Sequence, residues 1–241
     1  MEKGAYTLNG FKIAEFSPEG FKLVWHDKTK AKFDSKTCFN MGFFTLYKEK
    51  GSFFTIPIGN VCLDDTGIEE LPKGYILDWT NGIGVRKGKI ILNCRQNAVK
   101  RFSQKDVSTL VIDSDNNVGI FEIRRVPIMC KYAVSGVPVI RNGSAVDYEA
   151  FVKTQGWTDY EVRSAYRNFI GIRSGRMFLI SGETKTTNYI STNEMAKKLE
   201  ELKLDDLLGF DGGGSYFCTI DNERIADNDN CLVNNVGVIS S

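Results

Sequence analysis

The sequence of 241 residues contains a single histidine, His26, and none of its six cysteines stands in a Cys-x-x-Cys pair. Zinc sites and dithiol redox sites are built from such residues at short spacing, so we expect neither a metal nor a cofactor. His26 follows Trp25 on a strand-like stretch, where a lone histidine is more often structural than catalytic. The acid–base chemistry of an enzyme with this composition would therefore fall to carboxylates.

Long apolar runs and an excess of one charge are also missing. No stretch approaches the roughly 20 apolar residues of a membrane span, and the first residues lack the pattern of a secretory signal. The 31 basic and 30 acidic side chains leave a formal charge of +1. We therefore expect no nucleic-acid and no membrane partner. The cysteines are predicted to be reduced core residues of a cytoplasmic protein, with a microbial or viral source and the oligomeric state left open.

Short β-rich runs joined by Gly, Asn or Asp turns dominate the chain. One amphipathic helix stands out, in which Ser191 and Glu194 have the spacing of a capping box. Met195, Leu199 and Leu202 recur every three or four residues along it, so this face is expected to pack inward.

A second helical stretch is expected around residues 147–155. No low-complexity tract, Pro-rich linker or clear repeat divides the chain. The predicted fold class is α+β, a single domain of mixed or antiparallel sheets with a few packed helices. Residues 1–37 are assigned to an N-terminal β segment of this domain and residues 38–241 to its main part.

One hairpin carries residues that imitate a metal site. Asp113, Asp115 and Asn117 are spaced like the first ligands of a calcium loop. Gly119 falls one place late, however, and Arg124 occupies the position of the chelating glutamate. The segment is therefore predicted to be a turn.

The segment FDGGGS, residues 210–215, sets the Asp211 carboxylate against three glycines and a hydroxyl at the end of a short apolar run. Glycine loses more backbone freedom on folding than any other residue. Three together imply either an unusually tight turn or another molecule that approaches the backbone. The position, just after a helix and a strand, suits a site loop on a rigid scaffold.

Six segments in a fixed order resemble the phosphodiester glycosidase family over roughly residues 38–240. They are FNMGFF (39–44), IGNVCLD (58–64), IGVRKGK (83–89), VSGVPVIRNGS (134–144), RNFIGIRSG (167–175) and FDGGGS (210–215). Met41 stands where the family usually has glycine, and Asn168 where it has threonine. Cys231 or Leu232 stands where it often has an arginine.

The resemblance implies hydrolysis of a sugar that is joined through its anomeric carbon to a phosphodiester. The expected partner is a small-molecule sugar phosphodiester or glycan, such as an N-acetylglucosamine-1-phosphodiester. Asp211 is predicted to orient water or hold the sugar, and Arg167 to grip two phosphate oxygens. The amide of Asn40 is predicted to bind sugar or phosphate, which completes the set of catalytic residues.

The remaining predicted site residues bind substrate. Gly212, Gly213 and Gly214 are expected to present their N–H groups as an anion nest, and Ser215 to add a hydroxyl. Asn168, which replaces the family's threonine, is also assigned to this set.

Simpler interpretations stay open beside these. Asp211 can belong to an ordinary hairpin turn, Arg167 can pair with a buried acid, and Asn40 can be a turn residue. A non-catalytic protein that binds a sugar phosphate or nucleotide-like ligand on the same fold is favoured by Met41 and the missing late arginine. The intact FDGGGS segment with Arg167 favours the enzyme. A third possibility is an accessory component of a larger assembly such as a viral particle.

Overall fold

The structure is a computed structural model, and it describes most of the chain. The described residues are 4–25, 36–49, 52–64, 83–86, 89–92, 102, 104–127, 129–162, 165–183, 192–226 and 235–240. The predictions made for His26, Ser191 and the late arginine position at Cys231 or Leu232 lie outside them.

Seven strands form a first sheet, sheet A, in which every neighbouring pair is antiparallel. In their order across the sheet, with numbers in chain order, they are β1 (Tyr6–Leu8), β2 (Phe11–Phe16), β16 (Arg176–Glu183), β15 (Tyr166–Arg173), β17 (Asp206–Gly212), β13 (Val137–Arg141) and β14 (Ser144–Ala145). Three of its hairpins turn on two residues with positive φ, namely Asn9–Gly10, Asn142–Gly143 and Ser174–Gly175. Such turns match the twist of antiparallel strands, and this explains why Asn, Ser and Gly stand there.

A second sheet, sheet B, contains eleven strands of the described chain. Across it lie β11 (Val118–Ile123), β10 (Val107–Asp113), β12 (Cys130–Ser135), β7 (Val61–Asp64), β3 (Phe21–Trp25), β20 (Asn235–Ile239), β4 (Thr37–Met41), β18 (Cys218–Ile220) and β19 (Glu223–Ala226), while β9 (Lys89–Leu92) pairs with β7 and β8 (Ile83–Arg86) pairs with β9. The β3–β7 pair is parallel, and the other pairs are antiparallel. A separate hairpin joins β5 (Phe43–Glu49) to β6 (Ser52–Ile58).

The predicted antiparallel sheets with few helices are present, but the α+β class needs correction to a mainly antiparallel β fold. The described helical segments are short: α1 (Asp159–Val162), α2 (Thr192–Lys198), a π-helical turn (Tyr148–Val152) and the 3-10 turns Pro18–Gly20, Lys153–Gln155, Glu200–Leu202 and Gly213–Ser215. No helix in the described part of the chain is long and apolar enough to cross a membrane.

The two sheets face each other across the main core. Ile170 and Leu208 of sheet A belong to the same buried cluster as Leu23, Phe39 and other side chains of sheet B. Because successive strand residues point to opposite faces, the neighbours of these residues in sheet A point away from sheet B.

That opposite face of sheet A is also covered. Phe169 and Leu207 pack there with Met195, Leu199 and Leu202. The prediction that these three residues of the amphipathic segment face inward is thus confirmed. Both faces of the central strands are buried, so the segments NFIGIR and MFLIS are apolar at nearly every position.

The N-terminal segment contributes to both sheets. Strand β2 pairs with β16 in sheet A, and β3 pairs with β20 in sheet B. The chain therefore crosses between the two sheets near Pro18–Gly20. In the resulting two-sheet structure the ends of β4, β15 and β17 lie close together.

Candidate active site

The residues predicted from three distant segments meet where β4, β15 and β17 come together. Arg167 of β15 lies opposite Gly212 of β17, and the Asp211 amide donates to the carbonyl oxygen of Gly42 at 3.4 Å. The Asn168 amide nitrogen lies 2.7 Å from Oδ1 of Asn40 in β4. The structure therefore places Asn40, Arg167, Asn168 and Asp211 in one cluster.

A β-bulge sets the direction of Asp211. Arg167 pairs with Gly212 and Phe169 pairs with Gly209, so two steps along β15 face three steps along β17. The extra residue falls in the Phe210–Asp211 segment. Bulges commonly re-aim a side chain next to an active site, and here the re-aimed residue is the candidate carboxylate.

The carboxyl group of Asp211 has a raised pKa. Burial is the largest cause, and the charge of Glu161 acts in the same direction. Hydrogen bonds from the Ser215 side chain and the Gly212 amide, together with the charge of Arg167, oppose the shift without cancelling it. A carboxyl group with a raised pKa holds a proton closer to neutral pH, as general acid–base catalysis requires.

Arg167 is held almost completely inside the protein. It is 2% exposed, and its Nη1 donates to the carbonyl oxygen of Phe210 at 2.9 Å. A β-carbon at Gly212 would lie 2.7 Å from Cγ of Arg167 and would collide with the carbonyl oxygen of Tyr166. Glycine at 212 is thus required so that β17 can pack against Arg167.

The other two glycines of the run differ from Gly212. Gly213 has φ of 62°, a left-handed conformation that favours glycine. Gly214 has no such φ, and a β-carbon at either residue would meet no atom within 4 Å. The fold itself gives no reason for glycine at 214, and the space beside it is open.

Asn40 and Asn168 form a buried amide network. Oδ1 of Asn40 accepts from the Asn168 amide and from the Phe217 backbone at 3.1 Å, while Nδ2 of Asn40 donates to the carbonyl oxygen of Asp211 at 2.9 Å. Oδ1 of Asn168 accepts from the Ser181 hydroxyl at 2.7 Å. Both amides bind protein atoms, so the geometry favours a role in fixing the backbone of Asp211. Direct contact with substrate stays a prediction.

Met41 lies away from the cluster. It is 2% exposed and belongs to the core between the sheets together with Phe39. A β-carbon at Gly237 on the neighbouring strand would lie 2.7 Å from Sδ of Met41. The side chain that replaces the family's usual glycine thus occupies space left by Gly237, and it points to the opposite side of β4 from Asn40.

The sequence does not single out one buried carboxylate that acts on Asp211, that of Glu161. Glu161 is 6% exposed, and its Oε2 accepts from the backbone N–H of Thr158 at 2.8 Å and from the Thr158 hydroxyl. The Thr158-x-x-Glu161 spacing is that of a capping box and was the available signal. It predicts only a helix start, whereas the effect of Glu161 on Asp211 depends on the tertiary fold.

The described residues contain no group of three or more His, Cys, Asp or Glu side chains that could hold a metal ion. In the hairpin that imitates a calcium loop, Oδ1 of Asp113 accepts from the backbone of Asp115 and Asn117 at 2.9 and 2.8 Å. Asn116 has φ of 63°, and the chain reverses there. The predicted turn is confirmed.

Comparisons with known proteins bear on the family and the fold. The family model of phosphodiester glycosidases matches residues 54–238. The zebrafish N-acetylglucosamine-1-phosphodiester alpha-N-acetylglucosaminidase catalytic domain, auto-inhibited by its pro-peptide, superposes with a TM-score of 0.63 and 15% identity over 96% of this chain and 76% of that chain. A putative exported protein from Burkholderia pseudomallei gives a TM-score of 0.53 and 9% identity over 96% of this chain and 74% of that chain.

A search of the curated proteins found no match. At these identities the two solved structures establish a shared fold. The match to the family model covers well over half of the chain, and this protein therefore belongs to the phosphodiester glycosidase family.

Proposed function

We propose that this protein hydrolyses a sugar joined through its anomeric carbon to a phosphodiester, with an N-acetylglucosamine-1-phosphodiester as the model substrate. Membership of the family and the activity named for the zebrafish protein support the proposal. The observation that carries it is the Asp211 carboxyl group, whose pKa is raised by burial. This group interacts electrostatically with the buried Arg167 and precedes a glycine turn with open space beside it.

In the proposed reaction, the Asp211 carboxylate accepts a proton from water as the water oxygen bonds to the anomeric carbon. The bond between that carbon and the phosphate oxygen breaks, and its electron pair leaves with the phosphate. The products are the free sugar and a phosphate monoester. The phosphate is already a good leaving group and needs no proton, so one carboxylate acting as a base is sufficient.

The phosphate is assigned to the open space beside Gly213 and Gly214. A substrate with one negative charge needs a cation close by, and Arg167 supplies it from below the turn. Any side chain at 214 would occupy this space, and this accounts for a glycine that the fold itself does not require.

Asn40 and Asn168 are assigned to positioning. The bond from Nδ2 of Asn40 to the carbonyl oxygen of Asp211 fixes the strand end that carries the carboxylate. Asn168 holds Asn40 in turn, and it is itself 0% exposed. Ser215 hydrogen-bonds the Asp211 side chain and so orients it.

Turnover of an aryl phosphodiester of N-acetylglucosamine 1-phosphate tests the proposal. Wild-type protein should release the phosphate monoester, and Asp211→Asn should not. Asp115→Asn, at an exposed turn, is the matched control. In water enriched in ¹⁸O, the label should enter the sugar at the anomeric carbon, whereas label in the phosphate would contradict the proposed bond cleavage.

The same experiment separates the alternative function. If wild-type protein binds the diester saturably but releases no product, the protein binds sugar phosphates or nucleotide-like ligands without cleaving them. If it neither binds nor cleaves the diester, the proposed substrate class is wrong.

A further inference from the structure

Tyr166, the first residue of β15, exposes 46% of its surface beside the candidate site. Its ring stacks on that of Tyr216, with the ring centroids 5.7 Å apart and the planes inclined by 19°. The two rings therefore form a nearly parallel stack, whose outer member is open to solvent. Neither tyrosine has a part in the proposed hydrolysis.

The inner ring of this stack is held rigidly. Tyr216 is 6% exposed, and its hydroxyl lies 2.7 Å from that of Ser181. Ser181 donates in turn to Oδ1 of Asn168 in the amide network. A ligand that packs on Tyr166 would meet a preorganised surface and would lose less free energy to ordering of side chains.

The stack lies at one end of the glycine turn. Tyr216 directly follows the 3-10 turn Gly213–Ser215, while Asp211 precedes it. The carbonyl oxygen of Tyr166 abuts Gly212 from the neighbouring strand. With the sugar at Asp211 and the phosphate beside Gly213 and Gly214, the group on the other side of the phosphate is directed toward Tyr216, which follows the turn.

We propose that the stack of Tyr166 on Tyr216 binds a flat ring, an aryl group or a nucleobase, on the leaving side of the phosphodiester. The orientation of the diester rests on the proposed function. A flat ring continues a nearly parallel stack with contact over its whole face, and offset-stacked aromatic rings attract each other beyond their buried area. A non-planar ring or a short alkyl group makes less contact there.

Three diesters of N-acetylglucosamine 1-phosphate test this inference: methyl, cyclohexyl and phenyl. For wild-type protein we expect a KM for the phenyl diester about tenfold below that for the methyl diester. Tyr166→Ala should remove this preference and Tyr166→Phe should keep it, because phenylalanine retains the ring. Tyr6→Ala, at another partly exposed tyrosine, is the control and should keep it.

The preference must depend on flatness as well as on size. A cyclohexyl diester that is bound as well as the phenyl diester would overturn the assignment of a flat ring. A phenyl preference that survives Tyr166→Ala would overturn the site itself.

Binding measured without turnover keeps this inference distinct from the proposed hydrolysis. Calorimetry with phenyl phosphate, uridine 5′-monophosphate and methyl phosphate should show tighter binding of the two ring-bearing ligands by wild-type protein. Loss of that difference in Tyr166→Ala supports the stack even if no diester is cleaved. Equal binding of all three ligands by wild-type protein would refute it.

Discussion

Two buried polar clusters in this protein have similar chemistry and different surroundings. The first contains Asn40, Asn168, Ser181 and Tyr216. The second surrounds β10, where Asn60, Thr109 and Ser135 bind one another and the adjacent Ser108 binds Gln155. In both, buried amides and hydroxyls bind one another and nearby backbone groups, as stable cores require.

The difference between the clusters lies in the charged group that each one touches. Asn40 in the first cluster donates to the backbone carbonyl oxygen of Asp211. Burial raises the pKa of the carboxyl group on the side chain of this residue. Ser108 in the second contacts Glu122, which is paired with Arg141 at the surface. A buried polar network is by itself a structural device. It indicates a functional site when it fixes an ionisable group that burial disfavours in its charged form.

The largest expected effect is on turnover. Asp211→Asn should lower turnover of the diester by about 10²-fold or more, because it removes the proposed base. Glu122→Gln, at the carboxylate beside the second cluster, should leave turnover at the wild-type level. A wild-type rate in Asp211→Asn would remove this carboxyl group from the mechanism.

The same substitution should also change how the free energy of unfolding depends on pH. The folded-state pKa of Asp211 is raised, so its favourable contribution is complete below the unfolded-state pKa and is lost as the pH rises through the folded-state pKa. Denaturant unfolding should therefore show the free energy of unfolding of Asp211→Asn increasing relative to that of wild type as the pH rises above the ordinary aspartate pKa of about 3.9. A gain that shrinks with rising pH would contradict the raised pKa.

The next largest effect on kcat/KM is expected at Arg167, and Arg141 beside the second cluster serves as the comparison. Arg167→Lys should lower kcat/KM about tenfold or more, because a flexible ammonium group lacks the planar guanidinium that the Phe210 carbonyl oxygen holds in place near Asp211. Arg141→Lys breaks the guanidinium contacts with Glu122 and Asp206 and should affect stability alone. Equal kinetic losses in both variants would mean that Arg167 acts through the fold.

Removal of one buried amide from each cluster tests whether the cluster supports catalysis or only the fold. Asn168→Ala and Asn60→Ala each leave buried polar groups without partners and should each cost about 1–3 kcal/mol in the free energy of unfolding. Only Asn168→Ala should also lower kcat, because it loosens the strand end that holds Asp211. Comparison of kcat at matched fractions of folded protein checks this, and an equal loss in both variants would make the first cluster purely structural.

The smallest expected effect on the fold comes from Gly214→Ala. Gly214 lacks a positive φ and has open space around it, so alanine should be neutral or should stabilise the fold by about 0.5 kcal/mol. KM should nevertheless rise because the methyl group enters the proposed phosphate space. Gly4→Ala, also in open space, is the control. A KM unchanged in Gly214→Ala would make the run of glycines an ordinary turn.

Local patterns in the sequence predicted part of this arrangement. The spacing of Met195, Leu199 and Leu202 gave the inward face of the helical segment, since one turn of helix fixes it. The carboxylate beside three glycines marked the strand end that carries Asp211. Resemblance to a family added Asn40 and Arg167, whose proximity to Asp211 no local pattern contains.

The rest depends on contacts between distant segments. The bulge at Phe210–Asp211 exists only relative to β15, and the burial that raises the pKa of Asp211 requires both sheets. Ser181 enters the amide network because β16 pairs with β15. The predicted α+β class implies more helix than the described chain contains. The hydrophobic pattern of the sequence does not show how short the helices that cover sheet A are. The cytoplasmic location remains a prediction.

The most direct test of the central claim is the ionisation of Asp211 itself. Titration of its ¹³C-labelled carboxyl group by NMR, alongside the pH dependence of kcat/KM for the aryl diester, compares the group with the reaction. We predict that kcat/KM rises with pH and that the midpoint matches the carboxyl titration, above the ordinary aspartate value of about 3.9. A carboxyl group that titrates at or below that value, or a rate that does not follow it, would contradict the assignment of Asp211 as the base.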